Sequence, residues 1–326
     1  MTAVLFQIVG LEKAGKQIKK RCKMRKKLLC TVLCAVMAIS IFTGCGSREN
    51  SSDSAANTNA ETQSDETGDN TEIFGQTTVT IFAAKSLNSV MEELITAYND
   101  EQPNVQIVGS YDSSGTLMAQ IEEGASCDVF FSAAQKQMDT LQNEDDLIIE
   151  GTRYNVVNNQ VCVVTYTGSN TKVTGLADLA NAGSLALADG SVPVGKYTRQ
   201  ALVNAGMMEQ TDDAAAITTQ EVSKALGDIE INECANVGAV TSAVAEGSNE
   251  VGTVYYSDTY GFEDKLQILQ VVSYDLTGNV IYPVAQIKNS EADELEQAAA
   301  LDFIQYLTSD KAKAIFEKYY FDTDVN

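Results

Sequence analysis

Short apolar runs alternate with amphipathic helical patterns over most of this chain, and this alternation constrains the fold more than any other feature. Residues 79–82 read as a strand and 87–101 as a helix, and the pair 105–109 and 116–123 repeats the arrangement. Such alternation is typical of parallel sheets with helices on their faces, so the sequence predicts an α/β fold. Further strands are predicted at 129–132, 161–166, 185–188, 251–255, 266–272 and 284–287, and further helices at 136–142, 175–179, 196–205, 220–226, 237–246, 292–307 and 310–319.

Two of the strand-to-helix turns carry serine. Ser86 follows Ala83-Ala84-Lys85, and Ser114 lies in the run Ser113-Ser114-Gly115-Thr116-Leu117. The first backbone N–H groups of a helix have no partner within the helix, which favours an anion there, and a serine adds a hydroxyl donor. A serine at a helix start is also a common N-cap, so the two turns alone leave both interpretations open.

The N-terminus resembles the signal peptide of a bacterial lipoprotein. Met24-Arg25-Lys26-Lys27 is basic, residues 28–42 are apolar, and Phe-Thr-Gly-Cys at 42–45 resembles a lipobox with Phe where Leu is usual. We therefore expect residues 1–45 to be a signal peptide whose natural start is Met24 and which ends at a lipidated Cys45. The alternative is an uncleaved signal anchor. Residues 46–76 are polar and acidic, and are expected to form a disordered tether.

Charge and residue usage exclude several classes of function. Removal of residues 1–44, which hold nine Lys and Arg residues and one Glu, takes the net charge from −23 to −31. A chain this acidic is a poor partner for nucleic acid. The chain contains no histidine, which removes Ser-His and Cys-His nucleophile activation and argues against an enzyme or an ordinary zinc site. Beyond the leader only Cys127, Cys162 and Cys234 remain, and we read them as buried apolar residues, with one disulfide as the alternative.

Four blocks of the sequence resemble the molybdate-binding proteins of ABC importers. The resemblance runs from about Thr77 to Phe321. Its blocks are Val-Thr-Ile-Phe-Ala-Ala-Lys-Ser-Leu at 79–87, Ser-Ser-Gly-Thr-Leu onward at 113–133, Val-Pro-Val-Gly-Lys-Tyr at 192–197, and Asn-Val at 236–237 leading to Val-Gly-Thr-Val-Tyr-Tyr-Ser-Asp at 251–258. The resemblance implies a two-lobed type II periplasmic-binding-protein fold with a two-stranded hinge. Lobe one would hold 77–160 and 276–326, and lobe two 161–275.

The resemblance also implies a ligand site in the cleft between the lobes. Ser86 and Ser114 would supply hydroxyl and backbone N–H groups, Val194 and Val237 backbone N–H groups, and Tyr255 a phenolic O–H. All of these groups donate hydrogen bonds and none is charged, which suits a fully deprotonated oxyanion.

Some positions depart from the family pattern. Lys85 stands where Ala is usual, and it would either reach the anion or extend along the surface. The segment 207–235 is longer than usual, so Val222 competes with Val237 as the fourth contact. We prefer Val237, because its spacing to Tyr255 matches the family and Asn236 is a good N-cap. Asp258 is expected to be a helix or loop cap.

The sequence therefore predicts an extracytoplasmic, monomeric solute-binding protein, lipid-anchored to the outer face of the cell membrane. It would need no cofactor, bind molybdate or tungstate, and deliver the anion to an ABC permease of the inner membrane. The alternatives are a binder of sulfate or another tetrahedral oxyanion, or an enzyme or adhesin on the same scaffold.

Overall fold

Ten strands form two five-stranded sheets in the part of the chain that the computed structural model describes, residues 74–325. All of these residues belong to one compact unit. The strands are β1 (Thr77–Ala84), β2 (Val105–Asp112), β3 (Val129–Phe131), β4 (Tyr154–Asn159), β5 (Val161–Tyr166), β6 (Ser184–Ala188), β7 (Glu230–Cys234), β8 (Val251–Tyr255), β9 (Leu266–Val271) and β10 (Val280–Gln286).

Helices connect most of these strands. The α-helices of the described residues are α1 (Asn88–Asn99), α2 (Ser114–Glu122), α3 (Gln135–Asp139), α4 (Pro193–Asn204), α5 (Thr219–Ala225), α6 (Val237–Ala245), α7 (Tyr274–Thr277), α8 (Glu294–Leu307) and α9 (Asp310–Lys318). Short 3₁₀ helices occupy Lys85–Leu87, Leu176–Asn181, Ala214–Ala216 and Tyr256–Thr259, and a π-helical turn at Thr140–Glu144 continues α3.

The two sheets share one pattern of strand directions. Sheet one has the order β2-β1-β3-β10-β4, and sheet two has the order β7-β6-β8-β5-β9. In each sheet the first three strands are parallel, the fourth runs against the third, and the fifth runs against the fourth. The carboxyl ends of the parallel strands are where ligands bind in open α/β sheets, and the helix starts that follow them lie at that edge.

The chain passes between the sheets twice. The first passage is the single residue Gln160, between β4 and β5, and the second is the segment 272–279, which contains α7. The predicted fold class, an α/β protein of two lobes joined by two connections, is confirmed. The lobe boundaries at 160/161 and 275/276 stay predictions.

Three predicted elements differ in form from those observed. The helix predicted at 175–179 is the 3₁₀ helix Leu176–Asn181, and the helix predicted at 136–142 is the short α3 followed by its π turn. The strand predicted at 284–287 begins earlier, at Val280. The sequence analysis missed the first half of this strand because Pro283 argues against a strand: it has no N–H to donate to the ladder. In the structure Pro283 lies at a register shift beside Tyr282.

Helices α1, α8 and α9 pack on sheet one through completely buried side chains. Met91 and Leu94 come from α1, Phe303 from α8 and Phe316 from α9. Burial of each such side chain stabilises the fold by about 1.5–3 kcal/mol. The packing holds the turns at the ends of β1 and β2 in fixed positions.

A fully buried arginine joins several segments of the half of the molecule that holds sheet two. Arg199, in α4, donates through Nη1 to the carbonyl oxygens of Ala188 (2.7 Å) and Gly195 (3.0 Å). Its Nε donates to the carbonyl of Ile217 (2.8 Å), and Nη2 donates to Oγ1 of Thr219 (3.0 Å). The guanidinium therefore ties the long segment 207–235 to the helix that begins at Pro193.

The predicted signal peptide, the lipidated Cys45 and the tether up to residue 73 lie outside the described residues. Phe74 packs against the core, and its carbonyl oxygen accepts a hydrogen bond from Nδ2 of Asn104. Among residues 74–325 no helix is long and apolar enough to cross a membrane. Cys127, Cys162 and Cys234 are free thiols and buried, as expected.

Candidate functional site

All five residues predicted to bind an oxyanion line one small cavity between the two sheets. The cavity is narrow, with a volume of about 10 Å³. Sheet one and its turns contribute Ala84, Lys85, Ser86, Ser113, Ser114 and Ala133, and sheet two and its helix starts contribute Val192, Pro193, Val194, Val237 and Tyr255. Val222 is buried in α5 and does not line the cavity, which favours Val237 over Val222 as the contact.

The first serine turn is a 3₁₀ turn at the carboxyl end of β1. Ser86 is the middle residue of Lys85–Leu87, and its side chain is 7 % exposed. No side chain caps this turn. The Oγ atom of Ser86 lies 2.8 Å from the phenolic oxygen of Tyr282 in β10. The serine is therefore held from behind by a buried tyrosine, and its other side borders the cavity.

The second serine turn divides capping and cavity lining between two residues. Ser113 is the N-cap of α2, and its Oγ accepts a hydrogen bond from the N–H of Thr116 at 3.1 Å. The Oγ of Ser114, the first residue of the helix, instead accepts from the N–H of Ala133 at 2.9 Å. That bond uses an oxygen lone pair and leaves the hydroxyl hydrogen of Ser114 free to donate. The capping interpretation thus applies to Ser113 and does not account for Ser114.

Two helices of sheet two begin at the cavity. Val194 is the second residue of α4, after Pro193, whose missing N–H suits a first position. No side chain caps this helix. Val237 is the first residue of α6, and its N-cap Asn236 accepts from the N–H of Ala239 at 3.0 Å, as predicted. The N-terminal N–H groups and the positive ends of both helix dipoles favour an anion at this point.

Gly195 is required for the close approach of α4 to β6. A Cβ atom at this position would collide with the carbonyl oxygens of Ala188 and Asp189. A larger residue would push the helix start away from the strand end, and the N–H of Val194 would move with it.

Among the described residues, the hydroxyl group of Tyr255 has no hydrogen-bond partner. This tyrosine is the last residue of β8, is 1 % exposed, and its ring lies 5.9 Å from that of Tyr282. Within residues 74–325 its phenolic oxygen makes no hydrogen bond. Burial raises the pKa of Tyr255 well above its ordinary value, so the group stays a neutral O–H donor. A buried hydroxyl without a partner normally costs about 1–3 kcal/mol, which indicates that a ligand supplies its acceptor.

Two charged residues, Lys85 in the cavity wall and Asp258 behind Tyr255, lie close to the proposed donors. The side chain of Lys85 extends toward α6, where its Cε lies 3.0 Å from the position that a Cβ on Gly238 would occupy. The carboxylate of Asp258 accepts from the N–H of Tyr255 at 3.1 Å, so it is a cap, as predicted. Burial raises the pKa of Asp258 to about 7, against the opposing effects of that hydrogen bond and of the Lys85 ammonium.

One hydrogen bond joins the two sides of the cavity directly. Asp112 ends β2, and its Oδ1 accepts from the N–H of Ser113 at 2.7 Å. The same atom accepts from Nδ2 of Asn236, the N-cap of α6, at 3.1 Å. The second serine turn and the start of α6 are therefore linked through one carboxylate.

A wider depression lies elsewhere on the described surface. It has a volume of about 700 Å³ and is lined by residues of the long segment, including Met207, Gln210 and Lys224. It shares no residue with the cavity of the serine turns and lacks a comparable convergence of helix starts. We therefore place the candidate site at the smaller cavity.

Known proteins resemble the chain over nearly all of its described part. The family model for bacterial extracellular solute-binding proteins matches residues 79–322. The molybdate-binding protein ModA of Haemophilus influenzae is 31 % identical over 74 % of this chain and 89 % of its own length. A provisionally named ABC transporter substrate-binding lipoprotein of Bacillus subtilis, YvgL, is 28 % identical over 76 % of this chain and 87 % of its own.

A solved structure of a transporter substrate-binding domain is also similar to this chain. The substrate-binding domain of a provisionally named molybdenum ABC transporter from Clostridium difficile has a TM-score of 0.55 and 30 % sequence identity. That alignment covers 76 % of this chain and 98 % of the other. The extent of these matches, together with the two-sheet architecture, shows that the chain belongs to the family of bacterial extracellular solute-binding proteins.

Proposed function

We propose that this protein captures molybdate or the chemically similar tungstate in the cavity and delivers the anion to an ABC permease. The observation that carries the proposal is the composition of the cavity wall. Two serine hydroxyls, two helix starts and the unpartnered O–H of Tyr255 border one small space. Each of these groups donates a hydrogen bond without carrying a charge.

The chemistry of the ligand matches these donors. Molybdate, tungstate and sulfate carry no proton at neutral pH, so every oxygen is an acceptor. Hydrogen phosphate carries at least one proton there and needs an acceptor in the site. Among the described residues two carboxylates lie beside the cavity, and each already accepts a backbone N–H: Asp112 from Ser113 and Asp258 from Tyr255. A cavity of donors therefore favours fully deprotonated oxyanions over phosphate.

The wider setting of the proposal comes from the N-terminus and the relatives. Lipidation of Cys45, a tether over 46–76 and export to the outer face of the membrane follow from the sequence pattern. The name of the Bacillus subtilis relative, a substrate-binding lipoprotein, supports an anchor of this kind. The names of the matched relatives describe transporter substrate-binding proteins, which supports a binding protein over an enzyme. The protein is proposed to act as a monomer.

Calorimetric titration of the purified full-length protein with molybdate, tungstate, sulfate and phosphate tests the proposal. We expect tight one-to-one binding of molybdate and tungstate and no measurable binding of phosphate. Tightest binding of sulfate would support the alternative function, and absence of binding by all four anions would exclude an oxyanion carrier.

Val194→Ala and Val237→Ala provide matched controls for this titration. Both variants keep the backbone N–H that is proposed to contact the ligand, so we expect affinities within about threefold of the wild type. A much larger loss in either variant would mean that the valine side chain, and not its N–H, carries the contact.

A further inference from the structure

The geometry behind Ser86 points to two residues that act on the ligand without touching it. We propose that Tyr282 and Asn159 are positioning residues that turn the hydroxyl hydrogen of Ser86 into the cavity. This inference rests on the proposed function, since it concerns the orientation of a donor toward a bound oxyanion.

Four buried side chains form a continuous chain of hydrogen bonds. Ser86 Oγ lies 2.8 Å from Tyr282 Oη. The Nδ2 atom of Asn159 lies 3.2 Å from the same phenolic oxygen and 2.8 Å from Oγ of Ser257. Tyr282 and Asn159 are 0 % and 1 % exposed, so water does not compete for these bonds.

The direction of each hydrogen follows from the backbone. The N–H of Gln160 donates to Oδ1 of Asn159 at 2.9 Å. A backbone N–H cannot accept, so this bond fixes which end of the amide is oxygen. The Nδ2 of Asn159 must then face the two hydroxyl oxygens, and an amide nitrogen only donates. Its two hydrogens therefore go to Ser257 and Tyr282.

This arrangement leaves Tyr282 a single role toward Ser86. The phenolic oxygen already accepts from Asn159. Among residues 74–325 its other hydrogen-bonded neighbour is the Oγ of Ser86, which can accept the phenolic hydrogen; the nearby phenolic oxygen of Tyr255 makes no hydrogen bond. Because Ser86 accepts from Tyr282, its own hydrogen points away from the tyrosine. Ser86 borders the cavity on its other side, so the hydrogen is directed at the ligand.

The chain of bonds also reaches the connection between the sheets. Asn159 immediately precedes Gln160, the first passage between them, and Ser257 follows β8 of sheet two. The relative positions of the two sheets therefore fix the amide of Asn159, and through Tyr282 they fix the Ser86 hydroxyl. Rotation about Gln160 that separated Asn159 from Ser257 would release the donor that Ser86 presents.

A double-mutant cycle tests the inference by titration of full-length protein with sodium molybdate. Ser86→Ala is expected to weaken binding about ten- to hundredfold, since it removes a donor to a charged acceptor. Tyr282→Phe is expected to weaken binding about three- to tenfold, because the Ser86 hydroxyl remains but loses its fixed orientation. In the Ser86→Ala background Tyr282→Phe should have no further effect on affinity.

Tyr98→Phe is the matched control for loss of a buried phenol. Tyr98 is also buried in the half of the molecule that holds sheet one, and its hydroxyl donates to Asp302 at 2.9 Å, away from the cavity. It should lower the melting temperature of the ligand-free protein and leave molybdate affinity unchanged. A purely structural Tyr282 would behave in the same way, and that result would overturn the inference.

Asn159→Asp supplies a second variant of nearly equal shape. An ionised carboxylate cannot donate, so Tyr282 would donate to Asp and Ser86 would turn its hydrogen toward Tyr282, away from the ligand. We expect a loss of affinity at least as large as that of Tyr282→Phe, with a smaller loss in the Ser86→Ala background. Equal losses in both backgrounds would show that Asn159 does not act through Ser86.

The titration of the wild-type protein distinguishes failure of the proposed function from failure of this inference. If the wild-type protein binds none of the four oxyanions, the proposed function and this inference fall together. If it binds molybdate and the losses of Tyr282→Phe are the same with and without Ser86, only the inference is wrong.

Discussion

Replacement of Tyr255 by phenylalanine should have opposite effects on binding and on stability. The substitution removes one oxygen from a side chain that is 1 % exposed and keeps the ring packed against Tyr282. In the ligand-free protein that oxygen has no partner within the described residues. In the proposed complex it donates to a doubly charged anion.

The magnitudes follow from these two states. An unpartnered buried hydroxyl costs about 1–3 kcal/mol, so its removal should stabilise the ligand-free protein. For a domain of this size each kcal/mol corresponds to about 2–4 °C, so the melting temperature should rise by at least about 2 °C. A hydrogen bond to a charged group contributes about 1.5–3 kcal/mol, so molybdate affinity should fall about ten- to hundredfold.

Thermal unfolding of the ligand-free protein and calorimetric titration with molybdate measure the two effects. Tyr282→Phe is the control, because the hydroxyl of Tyr282 has two partners and its loss should lower the melting temperature. If Tyr255→Phe also lowered the melting temperature and left affinity unchanged, the hydroxyl would serve the fold, and its assignment to the ligand would be refuted.

Three further predictions concern the turns, the flanking charges and the anchor. Ser113→Ala should lower the free energy of unfolding by about 1 kcal/mol, because it removes the cap of α2, and should change molybdate affinity little. Ser114→Ala should instead lower molybdate affinity about ten- to hundredfold. Denaturation and titration of both variants would show the reverse pattern if Ser114 were the cap. Because the folded pKa of Asp258 is raised to about 7, its contribution to stability is complete below its ordinary value near 4 and is lost as pH rises through about 7. Over the same rise in pH the Asp258 carboxylate becomes charged beside the anion, so molybdate affinity should fall between about pH 6 and 8. Lys85→Ala should move the midpoint of this fall to higher pH, because the Lys85 ammonium lowers the pKa of Asp258. If Asp258→Asn left the dependence of affinity on pH unchanged, the titration would belong to another group. Cys45→Ala should abolish lipidation and release the protein from the membrane, as judged by fractionation of cells; a variant that is still processed and retained would contradict the anchor assignment.

The sequence predicted the inner strands of both sheets and missed one edge strand of each. β5 and β8 begin and end at the predicted residues, because they are completely or almost completely buried and their sequences are continuous apolar runs. β4 and β7 lie at the edges of sheet one and sheet two. Their sequences, Tyr-Asn-Val-Val-Asn-Asn and Glu-Ile-Asn-Glu-Cys, contain too many polar residues to show the alternation of apolar and polar side chains that predicts a strand.

The candidate site divides in the same way between local and distant information. The serine turns and the helix starts are local features of the sequence. The family resemblance of the four blocks predicted that they meet in one cleft. The separate roles of Ser113 and Ser114 depend on which of two adjacent hydroxyls meets Ala133, a contact that no local pattern encodes. Tyr282 was missed altogether, because it is 196 residues from Ser86 and lies in an apolar strand that contains no polar motif.

Two of the four acceptors of Arg199, Ile217 and Thr219, lie in the long segment 207–235 and divide it into parts with different tolerance to change. Residues 207–216 give the buried guanidinium no acceptor, but Met207 and Met208 pack against the core and Ala214 is buried. Deletions that leave sheet two undisturbed should therefore be limited to the exposed residues 209–213. Ile217 and Thr219 each accept from the guanidinium, and loss of either would leave part of a buried cation unpaired beneath the start of α4. Changes in length are therefore expected among residues 209–213, because Ile217, Thr219 and the pairing of β7 with β6 hold the rest of the segment on sheet two.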